Sequence, residues 1–274
     1  MIPASFEYAA PTSLPEVFEL LARHGDEARI LAGGHSLIPL MKLRLVEPTA
    51  LIDLRMVPGL RGVTDAGNEL LIGAATTHAD IASSPEVRRM TPALADAAES
   101  IGDRQVRARG TIGGSIAHAD PGADLPGALI ALGATVVLRS GGGERTVSAE
   151  AFFRGLMETD LRSGELITEV RVPAAPRSVY VKWANPASHY AIAGVAVAAV
   201  NGGVRIGVSG AAPSAFRAVA AEAALAGGLT PAAIDAAAST VAGGRELLGD
   251  LHASEEYRRH LVGVLTRRAL SRLS

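Results

Sequence analysis

Leu31-Ala32-Gly33-Gly34-His35-Ser36 and Arg109-Gly110-Thr111-Ile112-Gly113-Gly114-Ser115 are the two stretches on which the reading of this chain turns. Each sets paired glycines beside an apolar strand or helix and adds hydroxyl side chains. Glycine accepts positive φ and lets backbone approach a ligand closely. Successive N–H groups in such a turn, with a helix beginning just beyond, form a concavity suited to phosphate. Ser36, Thr111 and Ser115 can each add a donor. Neither stretch has the G-x-G-x-x-G spacing of a Rossmann fingerprint, and neither carries the G-K-[ST] of a P-loop, so nucleoside triphosphate hydrolysis finds no support. The residues alone leave two readings side by side: structural turns, or two loops that grip a diphosphate from both sides.

Outward from the loops, strand and helix signals alternate at first. Ser5 to Tyr8 is extended, Thr12 or Ser13 caps a helix with Leu14, Val17, Leu20 and Leu21 on one face, and Ala28 to Leu31 is a strand. A helical stretch from Ser36 then leads to the apolar strand Leu51–Leu54, which completes a small α/β unit over residues 1–55. Residues 56–173 form a second unit. It holds a strand at Glu69–Ala74, helices at His78–Ser83, Pro92–Ile101 and Leu125–Leu132, a hairpin turning at Gly141-Gly142-Gly143, and a strand at Leu166–Val172. Pro173-Ala174-Ala175-Pro176 reads as a linker, because prolines stiffen it and no periodicity crosses it. Residues 177–274 follow, with a second hairpin turning at Asn201-Gly202-Gly203, then two or three Ala-rich helices. In the last, Ser254 is the N-cap, Glu255 and Glu256 fill the first turn, and Arg267 and Arg268 lie toward the end, as the helix dipole favours.

Composition narrows the function. Hydrophobic residues are 48% of the 274, yet aromatics are only 4%, so each Tyr and the single Trp needs its own explanation. A formal net charge of −2 gives no electrostatic case for nucleic acid. The longest apolar run, Ala191–Val200, is too short to span a bilayer and contains Gly194. No basic region precedes an apolar stretch at the N-terminus, so a soluble, unprocessed chain is expected. The absence of Cys removes disulfides, thiolate metal sites and an iron–sulfur cluster held by this chain's cysteines. His78, His118 and His252 are too separated for a metal site and read as packing or surface residues.

As longer strings the loops are specific. Ala32 through Arg44 (AGGHSLIPLMKLR) resembles the first FAD loop of molybdenum hydroxylase medium subunits, the flavoproteins of the carbon monoxide dehydrogenase and xanthine dehydrogenase type. Gln105 through Pro126 (QVRARGTIGGSIAHADPGADLP) resembles the second loop, Ile72-Gly73-Ala74 with Thr76, Ile81 and Ser84-Pro85 fits between them, and Leu251 through Arg259 resembles the family's end. The likeness covers nearly the whole chain in the expected order. It implies an α+β chain: a two-subdomain FAD-binding fold, PCMH/VAO-like, followed by a C-terminal domain of antiparallel sheet plus helices.

By that resemblance Ala32, Gly33, Gly34, His35, Ser36 and Leu37, with Thr111, Ile112, Gly113, Gly114 and Ser115, wrap a non-covalent FAD. Asp124 falls on the acid that holds a ribityl hydroxyl, where the residues alone also allow a helix N-terminal acid. Leu166 and Ile167 fall in the strand flanking the adenine. Lys182 matches a lysine near the flavin, against an alternative as a surface strand Lys, and Tyr190 is the candidate aromatic beside the isoalloxazine, against a core or interface Tyr. Trp183 reads as packing. Three departures are Ala108 where relatives commonly have Asn, Ser115 where Asn or Asp is frequent, and His189 where an acid is usual. Ser115 can still donate to phosphate, so the departures bear chiefly on the flavin ring.

The implied role is electron transfer without catalytic or metal-ligating residues in this chain. A molybdopterin-binding large subunit hydroxylates the substrate, an iron–sulfur small subunit passes electrons to the FAD held here, and the flavin delivers them to a quinone or NAD. The expected assembly is a dimer of heterotrimers, cytoplasmic or peripheral to the inner membrane face through the complex. The hydroxybenzoyl-CoA reductase type, which adds an iron–sulfur loop with its own cysteines, is excluded. Two rivals are an autonomous flavin oxidase with FAD linked at His35, since Gly33-Gly34-His35-Ser36 resembles that linkage motif, and a non-catalytic assembly subunit that has lost FAD.

Overall fold

The computed structural model describes residues 2–274. Strand β1 (Glu7–Ala9), helix α1 (Leu14–His24), strand β2 (Ala28–Leu31), helix α2 (Leu37–Lys42) and strand β3 (Ala50–Asp53) come first. The strands pair in parallel in the order β1-β3-β2. Parallel pairing needs crossovers: α1 carries the chain from β1 to β2, and α2 carries it from β2 to its partner β3. Ser13 caps α1 by accepting from the Glu16 amide, and Gly25, at φ 55°, ends it. Val17, Ala28, Ala50, Ile52 and Leu54 form the core beneath, joined by Leu166 from far along the chain.

The second unit is an antiparallel sheet with helices on one side. Its elements are β4 (Val63–Asp65), β5 (Glu69–Gly73), α3 (His78–Ser83), α4 (Pro85–Met90), α5 (Pro92–Glu99), α6 (Arg104–Arg109), α7 (Ile112–His118), α8 (Asp124–Leu132), β6 (Thr135–Ser140), β7 (Gly143–Ser148), α9 (Ala149–Phe152), β8 (Phe153–Gly155), β9 (Glu158–Thr159) and β10 (Leu166–Pro173). The main sheet runs β4-β5-β10-β6-β7, and β8 pairs with β9 apart from it. Every residue of α8 is buried. A helix apolar all round belongs inside, and this one lies between two sheets.

The second of those sheets is built from β11 (Ser178–Ala184), β12 (Ala191–Val200), β13 (Gly203–Ser209) and β14 (Phe216–Arg217), antiparallel in that order, followed by helices α10 (Val219–Ala224), α11 (Pro231–Thr240) and α12 (Glu255–Leu273). Residue parity sorts its two faces. Ala193, Val195 and Val197 pack with Ile206 and Val208 against α12, whereas Ala196 and Ala198 face the core that contains α8. The small residues let helix and sheet meet backbone to backbone. A Cβ on Gly207 would overlap the Gly127 carbonyl oxygen and come 2.9 Å from the Ala131 nitrogen. The β12–β13 turn uses Asn201 at φ 49° and Gly202 at φ 77°, the positive pair that a tight hairpin needs.

The stretch read as a linker is instead fixed. β10 runs into Pro173, the amides of Ala174 and Ala175 donate to the Asn68 and Met90 carbonyls at 2.8 Å each, and Ala175 is fully buried. Its prolines stiffen a segment that already has backbone partners, so the chain enters the last sheet along a set path. No helix among the described residues is long and apolar enough to cross a membrane.

The Gly207 contact gives a direct check. Gly207→Ala should lower unfolding free energy by at least about 2 kcal/mol, through overpacking against helix backbone. Gly227→Ala, which meets nothing within 4 Å, should stay within about 0.5 kcal/mol of wild type in the same urea titration.

Candidate functional site

The two glycine loops come from different units and abut. The first joins β2 to α2, and a Cβ on Gly33 would collide with the Arg109 carbonyl oxygen and approach the Gly110 Cα to 2.8 Å. Ala32 faces Gly114, and His35 Nε2 lies 3.2 Å from the Gln105 carbonyl oxygen. Within the first loop the amides of Gly33, Gly34, His35 and Ser36 donate to no acceptor among the described residues. A run of unpartnered N–H groups with Gly34 at φ 78° is a cradle for an anion.

The second loop differs from the expectation. Its amides are used inside the fold: Ile112 to the Thr76 carbonyl at 3.0 Å, Gly113 to Ala74 at 2.8 Å, Ser115 to Thr111 at 2.9 Å, and Gly114 to Thr111 Oγ1 at 3.1 Å. Thr111 is the N-cap of α7, and Gly113 and Gly114 lie within the helix. Gly113 is required because a Cβ there would come 2.7 Å from Ala74. What this loop still carries besides spent amides is the hydroxyls of Thr111, which accepts from Gly114, and Ser115. The glycines here serve close packing, a use that spacing alone cannot separate from ligand contact.

His78, read from sequence as a packing or surface residue, supports both loops. Its amide donates to the Gly110 carbonyl at 2.9 Å, and its ring lies so close that a Cβ on Gly110 would meet Cδ2 at 2.7 Å. Burial, with His35 and Arg107 nearby, lowers its pKa to about 4. The ring is therefore neutral at ordinary pH, and its Nδ1 has no partner among the described residues.

Asp124 and Lys182 meet in a second constellation. Asp124 opens α8 and is 3% exposed. Its carboxylate accepts from Tyr180 Oη at 2.6 Å and from Lys182 Nζ at 2.9 Å. Lys182 also donates to the Ser100 and His189 carbonyls, both at 2.7 Å, so its three protons are all engaged. It is a buried ion-pair partner and not a surface lysine. Burial pushes the Asp124 carboxyl up against the pull of Lys182 and Tyr180, and burial with Asp124 alongside pushes the Tyr180 phenol well up. Tyr180 escaped the sequence reading, though its signal was present: residues 180 and 182 of one strand share a face.

Tyr190 is half-exposed and lies against Gly122, where an added Cβ would meet its Cδ1 at 3.0 Å. Burial, then Asp120 and Asp124, raises its phenol. Leu166 and Ile167 have side chains in two different cores, which leaves mainly backbone for a ligand. The next residue links them to the loops: the Thr168 carbonyl accepts from Ala74, whose own carbonyl accepts from Gly113. Leu37 begins α2 directly after the free amides. Trp183 is 44% exposed and lines a small cleft with Tyr257 and His260, so it is not core packing.

Two stability measurements check these assignments. Between pH 6.5 and about 4 the unfolded chain protonates His78 while the folded chain does not, so stability should fall as pH falls through that window. The loss approaches about 3 kcal/mol at its lower end. His78→Gln should flatten that slope in urea titrations at pH 7 and 4.5; an unchanged slope contradicts the buried neutral ring. Lys182→Met strands a buried carboxylate and should cost about 3–5 kcal/mol, much of it recovered in the double variant with Asp124→Asn.

Comparison with known proteins agrees with this architecture. The family described as the FAD binding domain in molybdopterin dehydrogenase matches residues 4–175, and the CO dehydrogenase flavoprotein C-terminal domain matches residues 178–273. The chain is 42% identical to the carbon monoxide dehydrogenase medium chain of Hydrogenophaga pseudoflava, over 99% of this chain and 98% of that one. It is 38% identical to the nicotine 6-hydroxylase medium subunit of Paenarthrobacter nicotinovorans, over 98% of this chain and 97% of the other. Superposition on the structure of carbon monoxide dehydrogenase from Hydrogenophaga pseudoflava lacking the Mo-pyranopterin moiety gives a TM-score of 0.94 at 45% identity, over 99% and 98% of the two chains. The chain belongs to the FAD-binding medium subunits of the molybdenum hydroxylases, the carbon monoxide dehydrogenase and xanthine dehydrogenase family of oxidoreductases.

Proposed function

We propose that the chain holds FAD non-covalently at the junction of its two glycine loops and serves as the electron exit of a three-subunit molybdenum hydroxylase. The observation that carries this is the backbone contact of Gly33 with Arg109 and Gly110, which brings the loop bearing four unpartnered amides against the segment that opens α7 at Thr111. That donor set suits a diphosphate, whose charge needs N–H and O–H groups and would be repelled by a carboxylate. Asp124 and Tyr190 lie in the other constellation, reached along α7 and the turn after it, where sugar hydroxyls and the flavin ring would follow the diphosphate. A ribityl hydroxyl would have to reach an Asp124 carboxylate that is 3% exposed and already accepts from Tyr180 and Lys182.

A bound flavin supplies the junction between carriers, since it exchanges single electrons with iron–sulfur clusters and one or two with a soluble acceptor. This chain's residues bind and orient it. The electrons arrive from an iron–sulfur small subunit and leave to a quinone or NAD, and the substrate is recognised in a molybdopterin-binding large subunit. In support, medium chains similar along their whole length serve proteins named for carbon monoxide and for nicotine, so the substrate varies while this fold stays. A cytoplasmic dimer of heterotrimers is the assembly that accords with this role. The three units 1–55, 56–173 and 177–274 then divide the work: the first two carry the loops and the third covers the flavin.

The purified chain incubated with FAD should show flavin absorption bands, and acid precipitation should release the chromophore into the supernatant. Flavin remaining with the pellet would favour linkage at His35. A chain that stays colourless, alone and co-expressed with both partners, would favour an assembly subunit. Gly33→Val should weaken FAD binding at least about tenfold, or about 1.4 kcal/mol, because its side chain forces the loops apart.

A further inference from the structure

We propose that Arg258 is a positioning residue for the flavin site, acting through the Asp120–Ala123 turn and Tyr190; this rests on the reading that the turn and Tyr190 border the flavin. Arg258 lies in the first turns of α12, in the C-terminal unit, and its side chain is 5% exposed. Nη1 donates to the Ile192 carbonyl at 2.6 Å and to the Gly210 carbonyl at 2.7 Å. Nη2 donates to Asp250 Oδ2 at 2.6 Å, and Asp250 is itself fixed by the amides of His252 and Ala253. One guanidinium therefore holds the start of β12 and the end of β13 together.

Those two strand ends suspend the turn. The Gly210 amide donates to the Pro121 carbonyl at 2.7 Å, and the Ala191 amide donates to the Gly122 carbonyl at 3.0 Å. Gly210 reaches this geometry at φ 81°, where a Cβ would overlap the Ala191 carbonyl oxygen. Tyr190 immediately precedes Ala191 and packs on Gly122, and Asp124 opens α8 two residues beyond Gly122. The ring from Arg258 through Gly210, Pro121, Gly122, Ala191 and Ile192 is closed by hydrogen bonds at every interruption of the chain. A guanidinium is needed because its planar fork serves two carbonyls and a carboxylate in fixed directions; an ammonium in the same place is a point charge on a flexible stem. The Nε of Arg258 has no partner among the described residues, so its hold on the fold runs through Nη1 and Nη2.

The test uses the full chain as wild type, Arg258→Gln, Arg258→Lys and Asp250→Asn. Thermal unfolding, FAD Kd from flavin fluorescence, and the visible circular dichroism of bound flavin are read for each. Arg258→Gln should raise the Kd at least tenfold and alter the flavin dichroism, with Arg258→Lys recovering part of both. Asp250→Asn loosens the guanidinium without removing it and should move both in the same direction by less. A purely structural arginine would lower the melting temperature while Kd and dichroism stay at wild-type values, and that result overturns the proposal. Should Arg258→Gln not fold, Asp250→Asn decides by the same criterion. A wild-type chain that takes up no FAD, alone and co-expressed with both partner subunits, overturns the flavin reading and this proposal together, whereas normal wild-type uptake with unresponsive variants overturns this proposal alone.

Discussion

Helix α8 and the ion pair at its first residue are the constraint around which the rest is arranged. Its nine residues are all buried, so it has no face to offer water and folds only when a sheet lies on each side. The β10-centred sheet supplies one, and the Gly194, Ala196, Ala198 and Gly207 face of the β12–β13 pair supplies the other. Burying the helix also buries Asp124, and a buried carboxylate needs a cation and donors. Lys182 and Tyr180 meet that need from β11, the first strand of the last sheet. The same pair therefore satisfies a charge and docks the C-terminal unit onto the FAD-binding unit.

The glycines follow a related logic. Gly33, Gly110, Gly113, Gly127 and Gly207 each sit where a Cβ would strike backbone or a buried ring. They are small because two segments must touch, and their effect is to bring loops from separate cores within one ligand's reach. Only the first loop keeps its amides unspent. The proposed diphosphate site is thus asymmetric, with its free backbone N–H groups all on the first loop.

Much of this was legible in the sequence because local rules decided it. The Asn201-Gly202 turn, a cap at Thr12 or Ser13 and the Ser254 cap are each settled within a few residues. The glycine strings and their order carried the family. What stayed hidden depends on residues far apart in the chain. Lys182 looks like any strand lysine until Asp124 and the Ser100 carbonyl are brought to it. His78 looks like a helix-end histidine until Gly110 closes over it and its ring is pushed to the neutral form. Pro173 to Pro176 has the composition of a loose connection and the hydrogen bonds of a fixed one, since Asn68 and Met90 are its partners. The second glycine loop has the residues of an anion nest, yet Thr76, Ala74 and Thr111 claim its N–H groups first.

The candidate site falls on seams between cores. Leu166 packs in the first unit's core while belonging to the second unit's strand, and Tyr180 packs in the second unit's core while belonging to the third. The glycine loops touch across the first seam, and Asp124 meets Lys182 across the second. A ligand spanning both touches groups whose relative placement exists only in the folded chain, so it binds the native state and not the unfolded one. Its binding energy then adds to stability as RT ln(1 + [L]/Kd), about 2.7 kcal/mol at a hundredfold excess over Kd. A cofactor that completes a chain in this way need not be gripped by any single strong group. Several weak donors on separate rigid elements suffice, provided that the packing which brings them together is itself tight, and the close backbone contacts at Gly33, Gly113 and Gly207 are where that tightness resides.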